Sequence, residues 1–135
     1  MKSSPRAWGV FLSALLAAVA AGGCHTESAS EQKADELLLQ SPKVGDYYAA
    51  ELTYFSDADF EQSTHTFGLM KVVAVDGDEI TLITEDGGVT DRRVALDQLA
   101  DNAANTRFDD TERIILRKDD LLRANQAGKV FGVRR

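Results

Sequence analysis

The chain is poor in the residues on which most enzyme chemistry depends. Its 135 residues include one cysteine, two histidines, one tryptophan and two prolines. A single cysteine excludes an internal disulfide, and two histidines, His25 and His65, fall short of the ligand spacings of zinc sites. No glycine pair, Gly87 and Gly88 included, opens a helix after a strand in a phosphate-binding pattern. Positive charge is also scarce, with 15 basic residues against 22 acidic ones and a net charge of −7. Such a balance repels nucleic acid and anionic lipid. The only long apolar run, residues 7–23, is alanine-rich and sits at the lower length limit for a membrane span.

That run belongs to an N-terminal segment with three zones. Lys2 and Arg6 supply positive charge, residues 7–21 are almost wholly apolar, and Gly22 and Gly23 are small. This is the layout of an export signal, expected to be removed as residues 1–23. The remainder is about 110 residues, enough for one domain with a modest core. Loss of Lys2 and Arg6 leaves 13 basic residues against 22 acidic ones, a net charge of −9. A basic protein or peptide partner is favoured by that field, although acidity also serves solubility.

The lone cysteine stands at the exit of the apolar run, in the series Ala21, Gly22, Gly23, Cys24. This series resembles the lipobox of bacterial lipoproteins, with Ala21 where most lipoboxes have leucine. The resemblance covers only the leader. It implies diacylglycerol on the Cys24 sulfur, cleavage just before it, and a mature cysteine carrying three acyl chains. Two or more chains give stable membrane anchoring. His25 is not aspartate, so the sorting rule of that family in enteric-type bacteria implies the periplasmic side of the outer membrane.

Beyond the cysteine, residues 25–30 are polar and small and read as a flexible tether. Residues 31–40 are expected to form a short helix, with a capping box from Ser28 to Glu31 and Pro42 as the stop. The tether and helix together occupy residues 24–42, and a β-rich globular domain occupies residues 43–135. From Val44 the pattern changes to period two. Tyr48, Ala50, Leu52 and Tyr54 share one side of an expected strand and are assigned to the core. Residues 56–66 have no steady period and read as a long loop with one helical turn around Phe60.

The strongest local signal is a pair of β-rich runs, residues 69–75 and 80–84, about a tight turn. A Gly77-Asp78 loop sets Val75 against Ile80 and Val73 against Leu82, which keeps apolar residues opposite one another. Residues 89–96 read as a further strand carrying Arg92 and Arg93 outward, followed by a short helix or irregular insert at residues 97–104. Residues 114–116 read as a compact strand, residues 119–126 as a helical turn capped by Asp119 and ended by Gly128, and residues 129–133 as the last strand. The expected fold is therefore mainly β, a small SH3-like barrel or an α+β roll. The SH3-like layout resembles domains that bind peptides or proteins through aromatic residues near the first long loop, and fold alone does not establish function.

For a binding role the candidate residues are Tyr47, Phe55, Asp57, Asp59 and Phe60. Tyr47 and Phe55 fall on the side of the expected strand opposite the core, where Asp57 and Asp59 would complete an acidic and aromatic patch suited to a basic or proline-rich ligand. No catalytic set is legible: His65 would act almost alone, and pairing with Asp57 or Asp59 has no recognisable spacing. Asp76, Gly77, Asp78 and Glu79 lack EF-hand spacing, and a hairpin explains the glycine. No metal or cofactor is expected. The sequence thus predicts a non-enzymatic, membrane-anchored binding module of the cell envelope. The alternative is a periplasmic inhibitor or immunity lipoprotein that neutralises a toxin or hydrolase.

Overall fold

The computed structural model describes residues 24–56 and 65–135. Helix α1, Cys24–Gln40, contains neither glycine nor proline and is followed by Pro42. It begins at Cys24 and not at Glu31, so the segment expected to be a flexible tether is helical. Helix formers such as Glu27 and Ala29 continue the pattern of residues 31–40 with nothing to break it. Only the far end of α1 docks: Leu39 is fully buried while Leu37 is exposed. Burial of one leucine contributes about 2 kcal/mol, and α1 packs against α4 and β5.

Strand β1, Tyr47–Glu51, ends earlier than the alternation predicts, because residues 52–55 turn into a single helical turn, α2, Leu52–Phe55. Tyr54 is consequently 56% exposed and not a core residue. The turn is pinned at both ends by backbone: Leu52 N donates to Thr66 O at 2.7 Å and Ser56 N to Leu52 O at 2.9 Å. A long-range bond has overridden a local period.

Strands β2, Phe67–Asp76, and β3, Glu79–Glu85, form the expected hairpin. Gly77 takes φ +57°, open to glycine at no steric cost, and Val75 faces Ile80. The register then shifts between Val72 and Ala74, so that Val72, not Val73, faces Leu82. The bulge sends Met70, Val72, Ile80 and Leu82 into one core. Residues 89–96 do not form a strand. Val89 makes one isolated bridge to Phe67, and helix α3, Arg92–Asn102, starts where the Asp91 side chain accepts from Arg93 N at 2.9 Å. Its buried residues Ala95 and Leu99 continue to Ala103 in a 3-10 turn, Ala103–Asn105, a helical spacing of four.

Strand β4, Phe108–Arg117, extends well beyond the expected apolar trio. Helix α4, Lys118–Gln126, has Arg117 and not Asp119 at its N-cap; it gives way through Ala127 to Gly128, which has φ +76°. Strand β5, Val130–Arg134, follows. All five strands form one antiparallel sheet in the order β4-β3-β2-β1-β5. The chain is therefore a small α+β protein within the β-rich class expected. Among the described residues, β4 and β5 do not pair with each other and are the two edges.

Each face of the sheet is covered. On one, Tyr48, Ala50, Met70 and Leu82 meet Leu39 of α1 and Leu121 and Ala124 of α4. On the other, Ala49 and Leu69 meet Leu99 and Ala103 beneath α3. Close approach of α3 depends on Gly132, where a Cβ would lie 2.8 Å from Leu99 and 2.9 Å from Leu96. Helices on opposite faces leave a gap between them at the edge formed by β5. That gap forms a cleft of about 570 Å³.

Candidate functional site

Of the five predicted binding residues the structure describes two, Tyr47 and Phe55, which lie on opposite faces of the sheet. Tyr47 is half-buried on the α3 face, its ring 5.9 Å from that of Phe108, with Lys71 Nζ 5.7 Å from its centroid. Phe55 packs against the opposite core, edge-on to Tyr54 at 4.9 Å. The helical turn of α2 abolishes the alternation that put them on one side. Asp57, Asp59 and Phe60 lie outside the described residues. What survives is a smaller arrangement: Tyr54 and Phe55 border a 370 Å³ hollow with Leu116, Asp120 and Arg123. Cys24 is the first residue of α1.

Next to this hollow lies a polar cluster that the alternation of apolar residues does not reveal. Glu51 is buried at the end of β1, hydrogen-bonded to His65 Nδ1 and to Lys129 Nζ, the latter at 2.6 Å. Burial works to raise its carboxyl, but hydrogen bonds and charge from Lys129 and His65 hold it below the ordinary carboxylate range. Lys129 also stands 5.6 Å from the Tyr54 ring centroid. Under α3, Glu85 accepts from Leu69 N at 3.0 Å and from Gln98 Nε2 at 2.8 Å. Burial pushes its carboxyl up despite those bonds. A Cβ at Gly68 would lie 1.9 Å from Glu85 Oε1, so the glycine admits that side chain. Both carboxylates tie separate elements of the fold together.

The open volume is at the β5 edge. A 570 Å³ cleft has Phe131, Gly132 and Val133 as its floor, Glu31, Gln32 and Asp35 of α1 on one side, and Arg92, Leu96 and Leu99 of α3 on the other. A second hollow of 430 Å³ shares Gln32, Asp35, Arg92 and Phe131 and continues past Gly128 to the end of α4. Together they follow the whole length of the strand.

Three arginines brace this edge. Arg92 donates to Gly128 O at 2.9 Å and lies over the Phe131 ring, 4.2 Å from its centroid. Arg134 Nη1 donates to Leu99 O at 2.8 Å and Ala100 O at 2.6 Å, closing the last turn of α3. Arg135 ties the chain end to Asp46 and to Ser41 O at 2.7 Å, just past α1. The carboxylates of the cleft are different. Glu31, Asp35 and Glu36 make no ion pair among the described residues. Partial burial, with Glu31 beside it, pushes the Asp35 carboxyl up to about 6.

None of these cleft residues was legible as a site. Glu31 and Asp35 stand at a spacing of four on one helix, where like charges repel, and that repulsion was the one available signal. Among the described residues, no three His, Cys, Asp or Glu side chains converge as metal ligands. No described helix is long and apolar enough to cross a membrane. No protein-family model matches the chain, and no curated protein or solved structure is significantly similar to it.

Proposed function

We propose that this protein is a non-enzymatic binding module of the bacterial cell envelope, held by acyl chains on Cys24 to the periplasmic side of the outer membrane. Its ligand is an extended segment of a protein partner, taken into the cleft beside β5. The observation that carries this reading is the coincidence of a concave site with the outer side of an edge strand, β5, which pairs with β1 on its inner side and with no described strand on the other. Unpaired edge groups are a ready template for a further strand, and natural proteins cover or charge such edges unless they use them. Here Arg92 and Arg134 tie α3 to the edge, and Arg135 ties its end to the segment just past α1.

The anchor fits the same geometry. Helix α1 runs from Cys24 directly into the cleft wall at Glu31 and Asp35. At 1.5 Å per residue, Asp35 stands about 17 Å along the helix from the cysteine. A lipid there would present the cleft on a helical stalk close to the bilayer.

The test has two parts. Mass spectrometry of the protein isolated from its native membrane is expected to find Cys24 as an acylated N-terminus, with Cys24→Ser abolishing acylation. A photo-crosslinking amino acid placed at Val133 in cells is expected to trap an envelope protein, whereas one at exposed Ile115 on the far edge does not. Isolation of an unacylated chain beginning at Met1 would defeat the anchor. Capture of a toxin or hydrolase whose activity falls on binding would replace the module with an inhibitor.

A further inference from the structure

Resting on the cleft reading above, we propose that the segment taken beside β5 carries a lysine or arginine, seated between Glu31 and Asp35 while its backbone extends the sheet. Three observations on the cleft lead there.

The first concerns shape. Strand β5 has five residues, about 17 Å at 3.4 Å each. The cleft follows that length and is open along it, which suits an extended backbone better than a compact ligand. Asn125 Nδ2 already satisfies Val130 O at 2.9 Å, so the strand's entry is closed and the free stretch runs from Phe131 onward.

The second concerns which charges are spoken for. The two arginines of the cleft direct their donors to Gly128, Leu99 and Ala100 carbonyls, and Arg92 is further held over Phe131. They serve the frame and offer little to an anionic ligand. Glu31 and Asp35 have no such engagement among the described residues, and they share one wall at a spacing of four. A cation placed between them relieves their mutual repulsion and satisfies both; an anion adds to it.

The third concerns cost. Asp35 is only half-exposed, and ionising it without a partner is resisted by that burial. A bound cation reverses the balance, so part of the binding free energy comes from removing an existing penalty. A second copy of this chain is a poorer occupant, because its own β5 carries the same carboxylate wall. Two such walls brought edge to edge would repel.

The experiment uses the full chain in detergent micelles and three fluorescein-labelled nonapeptides of alternating threonine and valine, with a central lysine, glutamine or glutamate. Fluorescence anisotropy is expected to show the lysine peptide binding about tenfold more tightly than the glutamine peptide, and glutamate weakest. In Glu31→Gln/Asp35→Asn that preference collapses to near unity while the glutamine peptide binds as before. Hydrogen exchange is expected to slow at residues 131–133 in the complex. Equal binding of lysine and glutamine peptides, with protection still at β5, overturns the charge assignment and leaves the strand-binding cleft standing. Absence of binding by all three, protection at another edge, or dimerisation through β5 overturns the cleft reading, and this proposal with it.

Discussion

Arg135, the last residue, grips Asp46 through two near-parallel hydrogen bonds of 3.0 Å, Nε to Oδ1 and Nη2 to Oδ2, across 89 positions of sequence. Asp46 is 1% exposed and also accepts from Lys43 N at 2.9 Å. Its own backbone carbonyl receives Val72 N at 2.9 Å, so Arg135, the entry to β1 and the middle of β2 meet at one residue. A bidentate guanidinium on a buried carboxylate is among the stronger polar contacts available to a fold this small.

Arg135→Met removes both bonds and leaves Asp46 buried with a single donor. The expected loss is about 2–3 kcal/mol, read by urea unfolding, since the penalty falls on a charge left in the interior. Adding Asp46→Asn to Arg135→Met should cost clearly less than the two single losses combined. Simple additivity would show that the pair does not couple.

Lys129 and Glu51 should behave alike at the other end of β1. Lys129→Met is expected to destabilise by about 2 kcal/mol at neutral pH, with Glu51→Gln in the same chain restoring much of it. The pH dependence has a definite sign. Glu51 has a folded pKa below its ordinary 4.5, so its contribution is complete above 4.5 and disappears as pH falls through the lower folded value. Thermal melts of wild type and Lys129→Met should therefore converge in acid; a constant gap down to low pH would place the effect in packing against Tyr54.

Asp35 carries the opposite sign. Its carboxyl is raised from 3.8 to about 6 by burial, with Glu31 adding to the shift. The folded chain then holds a proton that the unfolded chain has lost between these values, and stability declines as pH rises from 3.8 to 6. Besides Glu31, the charged residues lining the same hollows are Lys33 and Glu36 on its own helix, Arg92 from α3 and Arg134 from β5. Asp35→Asn is expected to raise the melting temperature at pH 7.5, with the gain gone below about pH 4. A gain unchanged with pH would assign the effect to helix propensity and not to charge.

The β2–β3 hairpin, the α4 stop at Gly128 and the final strand were legible because each is written in adjacent residues: Asp76-Gly77-Asp78 between apolar runs, or a glycine after a helical turn. The errors fell where two local patterns overlapped. Residues 89–96 alternate well enough for a strand, yet Ala95, Leu99 and Ala103 also mark a helical face, and the Asp91 cap with burial under the sheet decided for the helix. Tyr54 continued the period of β1, but the bond from Leu52 N to Thr66 O curled the chain and turned that ring outward.

The sequence by itself determined the scarcity of catalytic and metal-binding residues, the acidity, the single cysteine at the end of an apolar run and the β-rich class, since composition and short-range periodicity need no partners to be read. Tertiary structure alone decided the strand order, which strand lies at an edge, and the meeting of Glu31, Asp35, Arg92 and Phe131 around one cleft. Those depend on contacts between residues as far apart as α1 and β5, whose free energy resides in burial and pairing between distant segments.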